Sequence, residues 1–216
     1  MAYKSNLILN VLGCGSATPS RRHLPSCQVI AHNRELIMID CGEGAQRSMM
    51  LQGLPLTHLR HIFISHLHGD HCLGLPGLLS TLALHKMGGT LTIHTFAEGA
   101  DIFRTMASYF CREPGYDLQF NILDPKGGEV ALETRSLTVE TFPLRHRVPT
   151  VGFILREKPK ARHLIGDAAK FFNVPVSQIK AIKEGADFVR DDGTVISNDR
   201  LTTPPDRSAS YAYCSD

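Results

Sequence analysis

The sequence has no apolar stretch of about 18 residues or more, the length that a membrane-crossing helix needs. No apolar run near the start precedes a cleavage-like site. Its six cysteines include no C-x-x-C pair, which argues against a zinc ribbon or a thiol redox motif. These absences predict a reduced, cytoplasmic protein with no membrane partner.

The net charge is also small, at a formal +2 over 216 residues. A field from the whole molecule is therefore too weak to attract nucleic acid, and any phosphate binding must come from local basic patches. The candidate patches are Arg21 with Arg22, Arg145 with Arg147, the 158–162 stretch, and Lys180 with Lys183. Each could equally be an ordinary solvated face.

What the chain does have is a dense group of metal-ligand residues after a buried strand, in the stretch HIFISHLHGDHCLGLPG at 61–77. His66 and His68 fall at i and i+2, so an extended backbone directs both rings to one face. Gly69 lets the chain turn and bring Asp70 and His71 to a second position. The spacing H-x-H-x-D-H predicts a metal site.

Imidazole and carboxylate groups suit zinc or a similar divalent ion, and manganese is an alternative. Four such residues within six positions supply more ligands than one open catalytic site needs, which predicts two adjacent ions about 3.5–4 Å apart. The alternatives are solvated loop histidines or a single structural ion. Asp70, beside both ions, is the predicted proton acceptor from the attacking water.

The motif SHLHGDH resembles the signature of the metallo-β-lactamase superfamily, which implies a layered αββα sandwich. Five further stretches make nearly the whole chain similar to the ribonuclease Z family: LGCGSATPS, IDCGEGAQRS, LGLPGLL, PLRHRVPTVGF and YCSD. The resemblance implies a zinc-dependent endoribonuclease that removes the 3′ trailer from precursor transfer RNA, and a homodimer. It also implies that His146 and Asp216 join the site.

The expected ligands are thus His66, His68, His146 and Asp216 for the first ion, and Asp70, His71 and the bridging Asp216 for the second. The arginines at 21, 22, 145 and 147 are expected substrate contacts. Asp40 has two expected roles that do not exclude each other, namely capping a helix from about Gly44 to Gln52 and supporting the metal loop from behind. The competing functions are a hydrolase of small phosphodiesters, lactones or thioesters, and a non-catalytic module for RNA binding or dimerisation.

The alternation of strands and helices before residue 123, followed by strands, predicts an α/β fold in one domain spanning 1–216. The polar, turn-rich region at about 156–209 is the candidate arm that grips RNA, and a surface excursion without RNA contact is the alternative. The family's further histidines and the rest of the sandwich would follow Asp216. We therefore expect a fragment with little activity compared with a longer version.

Overall fold

The computed structural model describes residues 7–216, which divide into two compact units. One unit comprises 7–156 and 210–216, and the other comprises 157–209. No helix among the described residues is long and apolar enough to cross a membrane. The single-domain assignment stays a prediction.

The larger unit contains a six-stranded sheet in the order β1 to β6. The first three strands are antiparallel neighbours, whereas β3 to β6 run parallel. Their bounds are β1 Leu7–Gly13, β2 Cys27–His32, β3 Glu35–Ile39, β4 Leu59–Phe63, β5 Thr90–Thr95 and β6 Asp117–Ile122. Because parallel strands end at the same edge, residues that follow β3 and β4 meet there.

Helices cover one face of this sheet: α1 Ala45–Leu51, the single turn α2 Gly69–Cys72, α3 Leu75–Leu84 and α4 Ala97–Phe110. The buried residues of α3 are Leu75, Leu78, Leu79 and Leu82. This spacing forms one apolar stripe along the helix.

A second, four-stranded sheet packs on the other face, in the order β14, β9, β8, β7. Its strands are β7 Val130–Glu133, β8 Leu137–Pro143, β9 Val151–Glu157 and β14 Ser210–Tyr213. The alternation of β4 divides the core in two: Ile62 lies in the cluster beneath the helices, and Phe63 lies between the sheets, where its ring contacts that of Phe153. Within this unit the described layers are therefore helix, sheet and sheet.

The smaller unit has its own apolar cluster of Ile182, Phe188, Ile196 and Leu201. Its elements are short: β10 His163–Leu164, α5 Gly166–Phe171, α6 Ile179–Lys183, β11 Phe188–Val189, β12 Val195–Ile196, α7 Asn198–Leu201 and β13 Thr202–Thr203. The side-chain amide of Asn198 donates to the carbonyls of Ile182 and Ala186, which ties α7 to the end of α6. These four buried apolar side chains form a small satellite core.

Candidate metal centre

The residues after β4 form the first part of the site. His66 follows the strand, and His68, in extended backbone, immediately precedes α2. His66 Nε2 lies 3.1 Å from His68 Nδ1, so the i, i+2 spacing brings the two rings to one place. The single turn of α2 then carries Asp70 and His71, which is the local geometry that the sequence spacing indicated.

His146 reaches the same place from the loop between β8 and β9. The backbone N–H of Leu144 donates to Thr150 across that loop, and the N–H of Val151 donates to the Ser65 carbonyl. These bonds hold His146 Nε2 at 3.2 Å from His68 Nδ1. Ligand nitrogens of His66, His68 and His146 all lie within 4.8 Å of one another.

A second group joins His66, His71 and Asp216, whose ligand atoms also lie within 4.8 Å of one another. Strand β14 pairs with β9 and so carries Asp216 to the end of the metal loop. His71 Nε2 is 3.8 Å from Asp216 Oδ1 and 3.6 Å from Asp70 Oδ2. The groups differ from the sequence expectation in three respects: His66 is common to both, Asp216 is outside the first group, and Asp70 is outside the second.

At two positions around this loop the backbone segments lie so close together that only glycine fits. A Cβ on Gly42 would lie 2.5 Å from the Asp70 carbonyl oxygen, and one on Gly74 would lie 2.1 Å from the Gly42 carbonyl oxygen. In the same place the Cys41 N–H donates a hydrogen bond to the His71 carbonyl oxygen, with an N···O distance of 2.7 Å. The glycines of DCGEG and HCLGLPG therefore let the loop after β3 lie directly against the ligand segment.

Asp40 is the support beneath the ligands. Its side chain is fully buried and accepts hydrogen bonds from the Ser65 N–H at 2.8 Å and from His71 Nδ1 at 2.6 Å. The prediction that Asp40 caps a helix is wrong, because α1 begins at Ala45 and has no side-chain cap. The carboxylate is committed to the metal loop, which is the other role that the sequence had left open for it.

Hydrogen bonds around Ser65 fix which nitrogen of His66 faces the site. The Asp40 carboxylate only accepts, so the single Ser65 hydroxyl proton is donated to it at 2.9 Å. Ser65 Oγ must then accept from His66 Nδ1, 3.1 Å away. Nε2 of His66 therefore carries no proton and is free to bind a cation.

The same reasoning applies to His71, whose Nδ1–H donates to Asp40 and whose Nε2 is left for the second group. Imidazole nitrogens without protons and carboxylate oxygens are the donors that zinc and manganese accept. The residues present therefore fit divalent ions at both groups.

The pKa values of His66 and His71 bear directly on cation binding. Burial, together with the neighbouring His71, lowers the pKa of His66 to about 4, so the ring is neutral at pH 7. Burial lowers the pKa of His71, but the hydrogen bond and charge of Asp40 outweigh it and raise that pKa above its ordinary value. Binding of a cation at His71 is thus coupled to release of a proton.

Asp70 is held by the loop that follows β1. The Ala17 N–H donates to Asp70 Oδ2 at 2.7 Å. Burial raises the pKa of Asp70, but this hydrogen bond and the charge of His71 lower it by more, so the net shift is downward. Asp70 is therefore an anion at neutral pH and can accept a proton.

The four candidate substrate arginines are all exposed. Arg145 and Arg147 flank His146, while Arg21 and Arg22 lie in the loop whose Ala17 contacts Asp70. Sequence reasoning missed Ser65, Tyr213, Ser26 and the Ala17 N–H, which support the ligands without belonging to the motif. The one available signal was Ser65, a polar residue at the end of an apolar strand.

Comparison with known proteins gives three kinds of match. A family model described as "Anti-Pycsar protein Apyc1" matches residues 7–97, less than half of the chain. A Ribonuclease Z of Parabacteroides distasonis is 47% identical over 208 residues, which are 96% of this chain and 68% of that protein. The crystal structure of human tRNase Z, short form (ELAC1), matches with a TM-score of 0.60 and 27% identity over 82% of each chain.

A more distant match supports the fold alone. The metallo-beta-lactamase fold protein YhfI from Bacillus subtilis is 18% identical, with a TM-score of 0.57 over 70% of this chain and 58% of that one.

Proposed function

Because the chain belongs to the ribonuclease Z family and has the metallo-β-lactamase fold, both of which its motifs predicted, we propose that this metal-dependent endoribonuclease uses zinc to remove the 3′ trailer from precursor transfer RNA. One observation carries the proposal: two groups of potential ligands share His66 at the end of β4, beside an anionic Asp70. That arrangement suits hydrolysis of a phosphodiester by water.

Each residue has a distinct part in this reaction. His66, His68 and His146 would hold one divalent ion, His66 through its unprotonated Nε2, and His71, Asp216 and Asp70 would hold the other. Such ions lower the pKa of water and polarise phosphate. Asp70 accepts the proton of the attacking water, and the Ala17 N–H keeps that carboxylate in place.

The arginines act on the substrate. Arg145 and Arg147 are exposed on the loop that carries His146, so a phosphodiester at the site can approach both guanidinium groups. Guanidinium groups bind phosphate oxygens through charge-assisted hydrogen bonds. Arg21 and Arg22 would contact phosphates from the loop on the Asp70 side.

The proposal is tested by mapping the products of precursor transfer RNA cleavage after the protein has been stripped of metal and reloaded with zinc or with manganese. We expect release of the trailer as one fragment by the reloaded protein and none by the stripped protein. Bis-p-nitrophenyl phosphate serves as the comparison substrate. Hydrolysis of this small ester without any cleavage of precursor transfer RNA would favour a small-molecule hydrolase instead.

We also propose a homodimer in the cytoplasm. Large apolar side chains are exposed at the ends of α1 and α3, where Leu51 and Leu84 are 71% and 81% exposed. If these groups form one contiguous apolar surface, it would be typical of a contact between proteins. All six cysteines are free, as a reducing compartment requires. Light scattering at several concentrations would test the dimer.

The compact unit 157–209 is the proposed RNA-gripping arm. It presents basic side chains on α6, at Lys180 and Lys183, and the exposed ring of Phe171. The double variant Lys180→Glu/Lys183→Glu should weaken precursor transfer RNA binding. It should also lower the slope of log affinity against log salt by about one for each of the two lysines that binds a phosphate. Hydrolysis of bis-p-nitrophenyl phosphate should not change.

Lys126→Glu is the charge control, because Lys126 is exposed and lies outside the arm. Equal RNA affinity in the double variant and the wild-type protein would show that these two lysines do not contact RNA.

A further inference from the structure

A buried tyrosine on the last strand contacts the support beneath His71. The Tyr213 hydroxyl lies 2.5 Å from Asp40 Oδ2 and 2.7 Å from Ser26 Oγ. Tyr213 is 6% exposed, and its ring packs in the apolar cluster between the two sheets. Its hydroxyl is therefore aimed from the core toward the metal centre.

The direction of these hydrogen bonds follows from what each group can donate. The Asp40 carboxylate accepts, so the one hydroxyl proton of Tyr213 is donated to it. Ser26 must then donate to the Tyr213 oxygen across the 2.7 Å contact. A chain of donors thus runs from Ser26 through Tyr213 to Asp40, and Asp40 accepts the His71 Nδ1–H from the other side.

The position of Tyr213 along the chain connects this contact with the second ligand group. Tyr213 belongs to β14, and Asp216 follows three residues later. On the same segment, the Ser215 hydroxyl lies 3.0 Å from Ser65 Oγ. Both ligands that belong to the second group alone, His71 and Asp216, are therefore attached to the same buried carboxylate network.

We propose that Tyr213 is a positioning residue of the second ligand group: its hydroxyl fastens the strand that carries Asp216 to Asp40, which holds His71. This inference relies on the proposed function only in requiring that the group binds a divalent ion. Within the described part of the chain, His68 and His146, which complete the first group, make no hydrogen bond to Tyr213 or Asp40. Their own loops attach them instead.

The test is a zinc titration of the metal-free protein, monitored by calorimetry with a competing chelator. Tyr213→Phe keeps the buried ring and removes only the hydroxyl. We expect the second binding step to weaken by about 10–100-fold, the range for removal of a residue that supports a metal ligand, and the first step to be unchanged. With cobalt in place of zinc, the absorption that appears with the second ion should change shape.

Tyr211→Phe is the matched control. Tyr211 lies on the same strand, and its hydroxyl donates to the Gln28 side chain, away from Asp40. Its removal should leave both steps and the cobalt spectrum as they are. Thermal unfolding of the metal-free variants reports any general loss of packing.

The outcomes separate this inference from the proposed function. Identical second steps in Tyr213→Phe and the wild-type protein, or equal weakening of both steps, would overturn the positioning role. Failure of the wild-type protein to bind any zinc would overturn both proposals. Selective loss of the second step in a protein that does not cleave precursor transfer RNA would support the role of Tyr213 and contradict the RNA substrate.

Discussion

Asp70→Ala is expected to lower the rate of precursor transfer RNA cleavage by about 10²–10⁴-fold, the contribution of a well-placed general base. The Asp70 carboxylate is ionised at neutral pH because the Ala17 N–H and His71 lower its pKa against the opposing effect of burial. Removing it takes away the proton acceptor and one oxygen near His71. The rate is measured under single-turnover conditions at saturating zinc, so that slow cleavage remains visible.

Two further variants test whether the charge of Asp70 is what cleavage requires. Asp70→Asn retains an oxygen that can accept from Ala17 but has no charge, so it should lose almost as much activity as Asp70→Ala. Asp101→Ala is the control, since Asp101 is exposed on α4 and pairs with Arg104. Binding of precursor transfer RNA should be nearly unchanged in all three, because phosphate contacts made elsewhere determine it. Near-normal turnover by Asp70→Ala would remove this residue from the mechanism.

His66→Ala has the largest expected effect on metal content, because His66 Nε2 can bind one ion while the His66 ring also packs against that of His71, at a centroid distance of 4.0 Å. We expect the variant to lose the first ion, and to hold the second more weakly because His71 loses its neighbouring ring, at concentrations at which the wild-type protein retains both. Metal ions contribute several kcal/mol to stabilising the transition state, so cleavage should fall by about a thousandfold or more. Elemental analysis and the cleavage rate are measured on the same sample.

His146→Ala provides the comparison that isolates the effect of the position of His66 between the two groups. His146 belongs to the first group alone, so its removal should leave one ion bound near His71 and Asp216. His85→Ala is the neutral control, as His85 is exposed at the end of α3. Equal metal content in the His66 and His146 variants would mean that His66 does not support the second group in solution.

The local half of the site could be predicted from the sequence because its geometry depends on neighbours along the chain. An apolar strand followed by His66 and His68 requires only extended backbone to bring the two rings together, and the structure places their nitrogens 3.1 Å apart. The helix α3 was predictable for the same reason, from the spacing of its leucines.

The distant half could not be predicted from spacing. His146 lies 78 residues from its neighbour His68, and only the resemblance of its segment to a known family identified it. Tyr213 lies 173 residues from Asp40, and no pattern around it distinguishes a support of the metal loop from an ordinary buried strand residue. Such contacts depend on how the two sheets pack, which residue periodicity does not encode.

Asp40 shows how local chemistry can mislead. An acidic residue a few positions before a helix commonly caps it, and the sequence allowed that role. The tertiary structure instead surrounds the carboxylate with donors from three separate places in the chain, Ser65, His71 and Tyr213. A buried anion is stabilised more by several such donors than by one helix end, so the distant contacts determine its position.

The most direct test of the central claim, that the two adjacent ligand groups act together, is the cleavage rate of precursor transfer RNA measured as zinc is added to the metal-free protein. We predict little cleavage up to one zinc per chain and a steep rise between one and two. Full activity at one zinc per chain, or no cleavage at saturation with two bound, would contradict the account.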